Sequence, residues 1–199
     1  MLNLYLTPRG LKGLVPTEEA IEQVLDFLKR VDIIGDHHDG AYTPGAQTAQ
    51  LFHHDAYDDL LPAELTFDAL RVETVSRARL LPRNHGEGFP HTLCGVCGDE
   101  IGDDVLQPAL GRLNYFPIDR FELRCPSCGS DLKLKEVDFG QPTAMARFWI
   151  FIEGAGTSRL DTALLDKLGR ILGLNLTVIP EVPEDLAEDW VPARRAGRR

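Results

Sequence analysis

Ala146-Arg147-Phe148-Trp149-Ile150-Phe151-Ile152-Glu153 is a strongly apolar run, and the residues around it decide how the chain is read. It is short and rich in aromatic and β-branched residues, and Gly154-Ala155-Gly156-Thr157-Ser158 closes it. That combination predicts a buried strand ending in a tight loop. Leu164, Leu165, Leu168, Ile171 and Leu172 then recur at helical spacing, which predicts a helix from Asp161 to Leu172. Ser158 or Asp161 would cap this helix, and Gly173 can supply its left-handed ending. Leu176-Thr177-Val178-Ile179 begins a further strand. The connections are short enough for either a right-handed parallel crossover or a split arrangement with an antiparallel strand between.

Working outward, the first residues repeat this grammar. Met1-Leu2-Asn3-Leu4-Tyr5-Leu6-Thr7-Pro8 reads as an opening strand, followed by turns at Pro8-Arg9-Gly10 and Lys12-Gly13. Thr17 is placed to cap a helix running to about Arg30, with Glu18 and Glu19 in its first turn and Ile21, Val24, Leu25 and Leu28 on one face. Each helix therefore lies directly behind an apolar strand. The expected fold class is α+β: one sheet with two packed helices. Between these units, residues 35 to 50 read as loop, Gln50-Leu51-Phe52-His53-His54 as a short extended run, and Leu65 to Leu70 as a helical turn. Val72 to Leu81 alternates imperfectly and predicts a strand, closed by Pro82 and Asn84-His85-Gly86-Glu87-Gly88. After an acidic stretch from Glu181 to Asp189 come Trp190 and a basic tail with Arg194, Arg195, Arg198 and Arg199.

All four cysteines fall in two hooks, Cys94-Gly95-Val96-Cys97-Gly98 and Cys125-Pro126-Ser127-Cys128-Gly129. Four thiolates complete a tetrahedral structural zinc and leave no coordination position for substrate. A rubredoxin-type iron would use the same ligands, but nothing in the chain calls for electron transfer. The repeated spacing favours reduced, metal-holding thiols over disulfides. The hooks resemble the zinc-ribbon class over residues 90 to 136, and the resemblance implies paired knuckles delivered by hairpin turns, with Cys94, Cys97, Cys125 and Cys128 as metal ligands. Glu100-Ile101 and Leu132-Lys133-Leu134-Lys135 would be the strands that follow the knuckles, and Phe121-Glu122-Leu123-Arg124 the strand that delivers Cys125. The 27 residues between the hooks exceed a minimal ribbon: Asp103 to Leu110 fit a helical turn, and Asn114-Tyr115-Phe116-Pro117 a small apolar cover. A segment this short offers no large apolar core, so zinc would supply much of its stability. The implied organisation is an α+β domain from 1–89 and 137–190, interrupted by a four-cysteine zinc ribbon at 90–136 and followed by the tail at 191–199.

The 199 residues carry a formal charge of −10, divided as −6 over residues 1 to 92, −4 over 93 to 140 and zero over the remainder. That balance argues against binding to a phosphate backbone. Arg112, Tyr115, Phe116, Arg120, Arg124, Lys133 and Lys135 would form the surface of a nucleic-acid-binding accessory protein, but Asp99, Glu100, Asp103, Asp104, Asp119 and Glu122 oppose it. An acidic surface favours a basic protein partner, so the leading expectation is a protein-interaction or regulatory module with structural zinc. No apolar run approaches the roughly 20 residues that cross a bilayer. The chain's start has no basic region ahead of its apolar stretch, so a cytoplasmic location is expected.

Whether the protein is an enzyme is open on these residues. His37-His38-Asp39 resembles His53-His54-Asp55, with Asp58 and Asp59 close behind. Neighbouring side chains on an extended chain face opposite ways, so one histidine of each pair could meet in a second metal site. A metal-dependent hydrolase is the competing reading. The loop from Glu153 to Arg159 offers amides to a phosphate or carboxylate but lacks the lysine of a phosphate-binding loop and the third glycine of a dinucleotide fingerprint. No credible Ser-His-Asp or Cys-His order exists: Ser76, Ser130 and Ser158 lack an elbow motif, and His85 and His91 read as loop residues flanking the ribbon.

Overall fold

The computed structural model describes residues 2–9, 14–53, 65–82, 89, 92–113, 115–116 and 120–181. Strand β1, Leu2–Pro8, leads to helix α1, Glu18–Arg30, whose first amides are capped by the Thr17 hydroxyl, 3.2 Å from the Ala20 amide. Strands β2, Ile34–His38, and β3, Ala41–Pro44, form a hairpin, and β4, Ala69–Leu81, follows. The long strand β9, Ala144–Ala155, helix α3, Thr162–Leu172, and strand β10, Leu176–Glu181, complete the sheet. Between β4 and β9 lie β5, Leu93–Cys94, helix α2, Asp103–Arg112, and the short strands β6, Leu123–Arg124, β7, Asp131–Leu132, and β8, Val137–Asp138.

The six strands run in the order β10-β1-β9-β4-β3-β2, and every paired neighbour is antiparallel. Since β1 and β4 both pair with β9, they are parallel to each other with β9 between them. By the same logic β9 and β10 are parallel with β1 between them. Helix α3 thus joins the parallel strands β9 and β10 across β1, so the split arrangement is the one adopted there, whereas helix α1 leads from β1 to β2, the edge strand beyond β9, β4 and β3. The α+β expectation of one sheet with two packed helices and a four-cysteine cluster holds.

Both faces of β9 are buried, which explains a run without polar alternation. Phe148, Ile150 and Ile152 face the helices, where Leu4, Leu6, Leu70, Val24, Leu28, Leu168 and Leu172 join one core. Trp149, on the other face, is buried in a separate cluster with Tyr5, Leu81, Ala146 and Ile179. There the Tyr5 and Phe151 rings lie 4.9 Å apart. At one end of the sheet, Asn3 Nδ2 donates to Glu181 Oε2 at 2.9 Å and Tyr5 Oη donates to the same oxygen at 3.3 Å.

Helix α3 is capped by Asp161, whose Oδ1 accepts from the Leu164 amide at 2.7 Å, and ends at Gly173 with φ 68. Three local expectations are corrected. The span from 35 to 50 contains the β2–β3 hairpin, because Asp39 and Gly40, with φ 51 and 77, make the two-residue left-handed turn that twisted hairpins favour. The run through Leu51 is a one-turn 3-10 helix, Thr48–Leu51, and Phe52 then bridges to Leu160. The stretch Leu65 to Leu70 is not helical: it enters β4, and Leu65, Phe67 and Leu70 are drawn into the core beneath the helices.

Several expectations fall outside the described residues: the turns at Gly10, Lys12 and Gly13, the groups His54, Asp55, Asp58 and Asp59, the turn at 84–88, His85, His91, Asn114, Pro117, the acidic stretch beyond Glu181, Trp190, and the tail arginines Arg194, Arg195, Arg198 and Arg199. No helix among the described residues is long and apolar enough to cross a membrane.

Candidate metal centre

The two hooks adopt the same backbone conformation, bond for bond. In the first, the Cys94 amide donates to the Asp99 carbonyl at 2.8 Å and the Gly98 amide donates back to the Cys94 carbonyl at 2.8 Å. In the second, the Cys125 amide donates to the Ser130 carbonyl at 2.9 Å, and the Gly129 amide reaches the Cys125 carbonyl at 3.0 Å. Such a turn needs a left-handed residue after the second cysteine, and Gly98 and Gly129 supply it with φ 81 and 72. In each hook the first cysteine is buried and the second exposed. Cys94 extends β5, which pairs with β8, and Cys125 follows β6, which pairs with β7.

These two turns face each other. Cys94 Sγ lies 3.9 Å from Cys128 Sγ and Cys97 Sγ lies 3.7 Å from Cys125 Sγ, while all four sulfur atoms fall within 4.8 Å of one another. A tetrahedron with metal–sulfur bonds of about 2.3 Å has edges of about 3.8 Å. The cross-hook distances match those edges, so the four cysteines form a cluster that can hold a metal ion. Four thiolates around one divalent ion also use every coordination position, which suits a structural centre.

The electrostatics of the cluster are uneven. The Ser130 hydroxyl, 3.3 Å from Cys128 Sγ, together with the Ser130 amide brings the Cys128 thiol down to about 6. The Cys97 amide leads in lowering Cys94, with the Val96 amide, 3.4 Å from Cys94 Sγ, helping against desolvation. Cys97 receives help from the Asp99 amide, but desolvation and the three neighbouring thiols push it up to about 12. Four neighbouring thiols therefore do not ionise together unaided, and a cation that binds them must displace protons.

The cluster sits on more apolar material than the short sequence between the hooks promised. Ile101, Leu106, Leu113, Phe121, Leu123 and Leu132 are buried around Cys94 and Cys125. Phe139 and Met145 continue this core towards the sheet. The helix expected at 103–110 forms as α2 even though Pro108 lies inside it. The strand at Leu123–Arg124 also forms, but Glu100 makes only an isolated bridge to Leu93, and Leu134–Glu136 is a 3-10 turn. The cover expected from Tyr115 and Phe116 is overturned: they are 74% and 50% exposed, whereas Leu113 and Phe121 are buried in the core of this segment.

Other candidates are not assembled. Among the described residues the cysteines form the sole group of three or more metal-ligating side chains close enough to share an ion. His37 and His38 are exposed on the β2–β3 hairpin, where the His37 ring stacks on Tyr42 at 4.5 Å, and His53 joins no such group. Near the end of β9, Glu153 pairs with Arg71 at 2.5 Å. The Gly154 amide donates to Asn3 Oδ1, the Gly156 amide to the Thr66 carbonyl and the Arg159 amide to Thr157 Oγ1. Those amides are committed within the protein and present no anion cradle. Sequence reading missed Ser130 as a partner of Cys128. Its signal was positional, because Ser130 stands two residues after the second cysteine of its hook, as Asp99 does in the other. Comparison with protein-family models, curated proteins and solved structures yields no match for this chain.

Proposed function

We propose that Cys94, Cys97, Cys125 and Cys128 hold one structural Zn2+ and that the segment around them, residues 90 to 136, is a zinc ribbon inserted into the α+β domain, through which the protein acts as an interaction or regulatory module. The observation that carries this reading is the near-tetrahedral spacing of the four sulfur atoms. Zinc is the ion of choice because four thiolates satisfy it fully. The interaction role rests on where apolar surface is left open: Val96, Tyr115 and Phe116 are exposed on this segment at 63%, 74% and 50%. Reduced thiols of this kind suit a reducing, cytoplasmic compartment.

Elemental analysis of the purified protein tests the proposal. One zinc atom per chain is expected, reduced strongly in Cys94→Ser and Cys128→Ser, with faster amide exchange across residues 92 to 132. Wild-type protein without tightly held zinc overturns the assignment.

A further inference from the structure

The sulfur contacts of the cluster cross between the hooks: exposed Cys128 lies 3.9 Å from buried Cys94, and exposed Cys97 lies 3.7 Å from buried Cys125. Each contact therefore joins a thiol that solvent reaches to one that it does not. More than the sulfur atoms holds the hooks face to face. The Gly95 amide donates to the Glu136 carbonyl at 2.9 Å, and a Cβ on Gly95 would collide with that oxygen. The first hook thus rests on the chain just beyond β7, the second strand of the hairpin that carries the other hook. The two exposed thiols differ in their surroundings. The Ser130 hydroxyl stands 3.3 Å from Cys128 Sγ, whereas at the place equivalent to Ser130 the first hook carries Asp99, followed by Glu100, both exposed.

From this arrangement we infer that the metal centre is a site of reversible oxidation by hydroperoxides, which closes the two cross-hook pairs into disulfides, Cys94 to Cys128 first and Cys97 to Cys125 second, and frees the ion while the segment stays folded. The inference rests on the zinc-ribbon reading and adds a means of regulating that site. A redox-sensing cysteine needs exposure and a resolving thiol at hand, and each pair supplies both. The exposed thiolate attacks one peroxide oxygen; the O–O bond breaks, leaving a sulfenic acid and a hydroxide. The buried thiolate then attacks that sulfur, the S–S bond forms, the S–O bond breaks and a second hydroxide departs. Two protons from solvent turn the hydroxides into water, so two thiolates give two electrons to one peroxide. A second round uses the remaining ligands and releases the zinc. A dithiol reductant returns the four electrons and restores the site.

Cys128 leads because the Ser130 hydroxyl can hydrogen-bond the departing oxygen, while the carboxylates beside Cys97 oppose a build-up of negative charge there. Closing a cross-hook pair draws sulfur atoms from 3.7 or 3.9 Å to about 2.0 Å. It joins residues 28 or 34 apart in sequence, and a crosslink over a long loop stabilises a fold more than one over a short loop. Cross-hook bonds therefore tie the β5–β8 pair to the β6–β7 hairpin as the ion does. Bonds within the hooks would leave the two pairs unlinked.

Zinc-loaded full-length protein treated with hydrogen peroxide tests the inference, with zinc release read by a chromogenic chelator and disulfides and amide exchange by mass spectrometry. About two equivalents of peroxide should be used per zinc released. Trypsin should yield residues 84–112 joined to 125–133, with fragmentation pairing Cys94 with Cys128 and Cys97 with Cys125. Amide protection over residues 92 to 132 should persist in the oxidised, zinc-free protein and collapse in reduced protein stripped by a chelator. Ser130→Ala should slow peroxide-driven release about fivefold. Bonds within the hooks, bonds between chains, sulfinic acid in place of disulfides, an unchanged rate in Ser130→Ala, or zinc retained under excess peroxide would each overturn the inference and leave the zinc assignment standing. Protein isolated without zinc would instead bring down that assignment itself.

Discussion

The sheet and the cysteine segment bury apolar side chains to similar degrees but by different means. In the sheet, strands of 13 and 12 residues, β4 and β9, pair with each other along most of their length. In the cysteine segment β5, β6, β7 and β8 are two residues each. Hairpins that short are at best marginal alone. What holds them in register is the convergence of Cys94 and Cys125 inside the same core as Leu106 and Phe121. The contrast teaches that long strands carry their own register, whereas short ones borrow it from a crosslink. On the proposed reading, the crosslink is four sulfur atoms around one ion.

That contrast can be broken at several points. Cys125→Ser removes a buried ligand and should show the largest effect: near-complete loss of zinc, with amide protection collapsing over residues 92 to 132 but persisting over 146 to 152. Hydrogen exchange followed by mass spectrometry reads both regions in one experiment, and equal loss in both would erase the distinction. Ile152→Ala attacks the other side of the comparison. Ile152 is fully buried beneath the helices, so truncation should cost about 2–5 kcal/mol in urea unfolding. The folded fraction should keep its zinc.

Smaller changes sharpen the picture. Gly129→Ala puts a Cβ on a residue with φ 72, a strain of about 1–2 kcal/mol. Because that strain falls on the second knuckle, zinc should transfer to a competing chelator faster than from wild type while unfolding of the sheet changes little. Asp161→Ala removes the cap on α3 and should lower stability by about 1 kcal/mol. Its zinc transfer rate should stay at the wild-type value, and a changed rate would mean that the two regions are coupled more tightly than their separate cores indicate.

Much of this is legible in the residues alone, for identifiable reasons. Thr17 caps α1 as read, Asp161 is the one of the two residues read as able to cap α3 that does so, and Gly173 ends α3 in the left-handed region. These are contacts within a few residues, where sequence neighbours are also spatial neighbours. The knuckle turns are legible for the same cause, since a Cys-x-x-Cys-Gly hook folds on itself. The β2–β3 hairpin escapes such a reading although Asp39-Gly40 is a strong two-residue turn signal, because the polar residues around it resemble loop composition. Leu65 to Leu70 reads as helical because apolar spacing over six residues does not separate a turn from a strand entrance.

By itself, then, the sequence determined the helices α1 and α3 with the strands that flank α3, their caps, the two hooks and the cysteine set, all of which depend on local chain geometry and residue chemistry. Only the tertiary structure decided that β1 inserts between β9 and β10, that the hooks meet at 3.7 and 3.9 Å, and that Tyr115 and Phe116 face outwards. Those outcomes depend on which distant surfaces compete for the same buried space. Leu113 and Phe121 are buried in the core of the cysteine segment, and the aromatic pair is left outside.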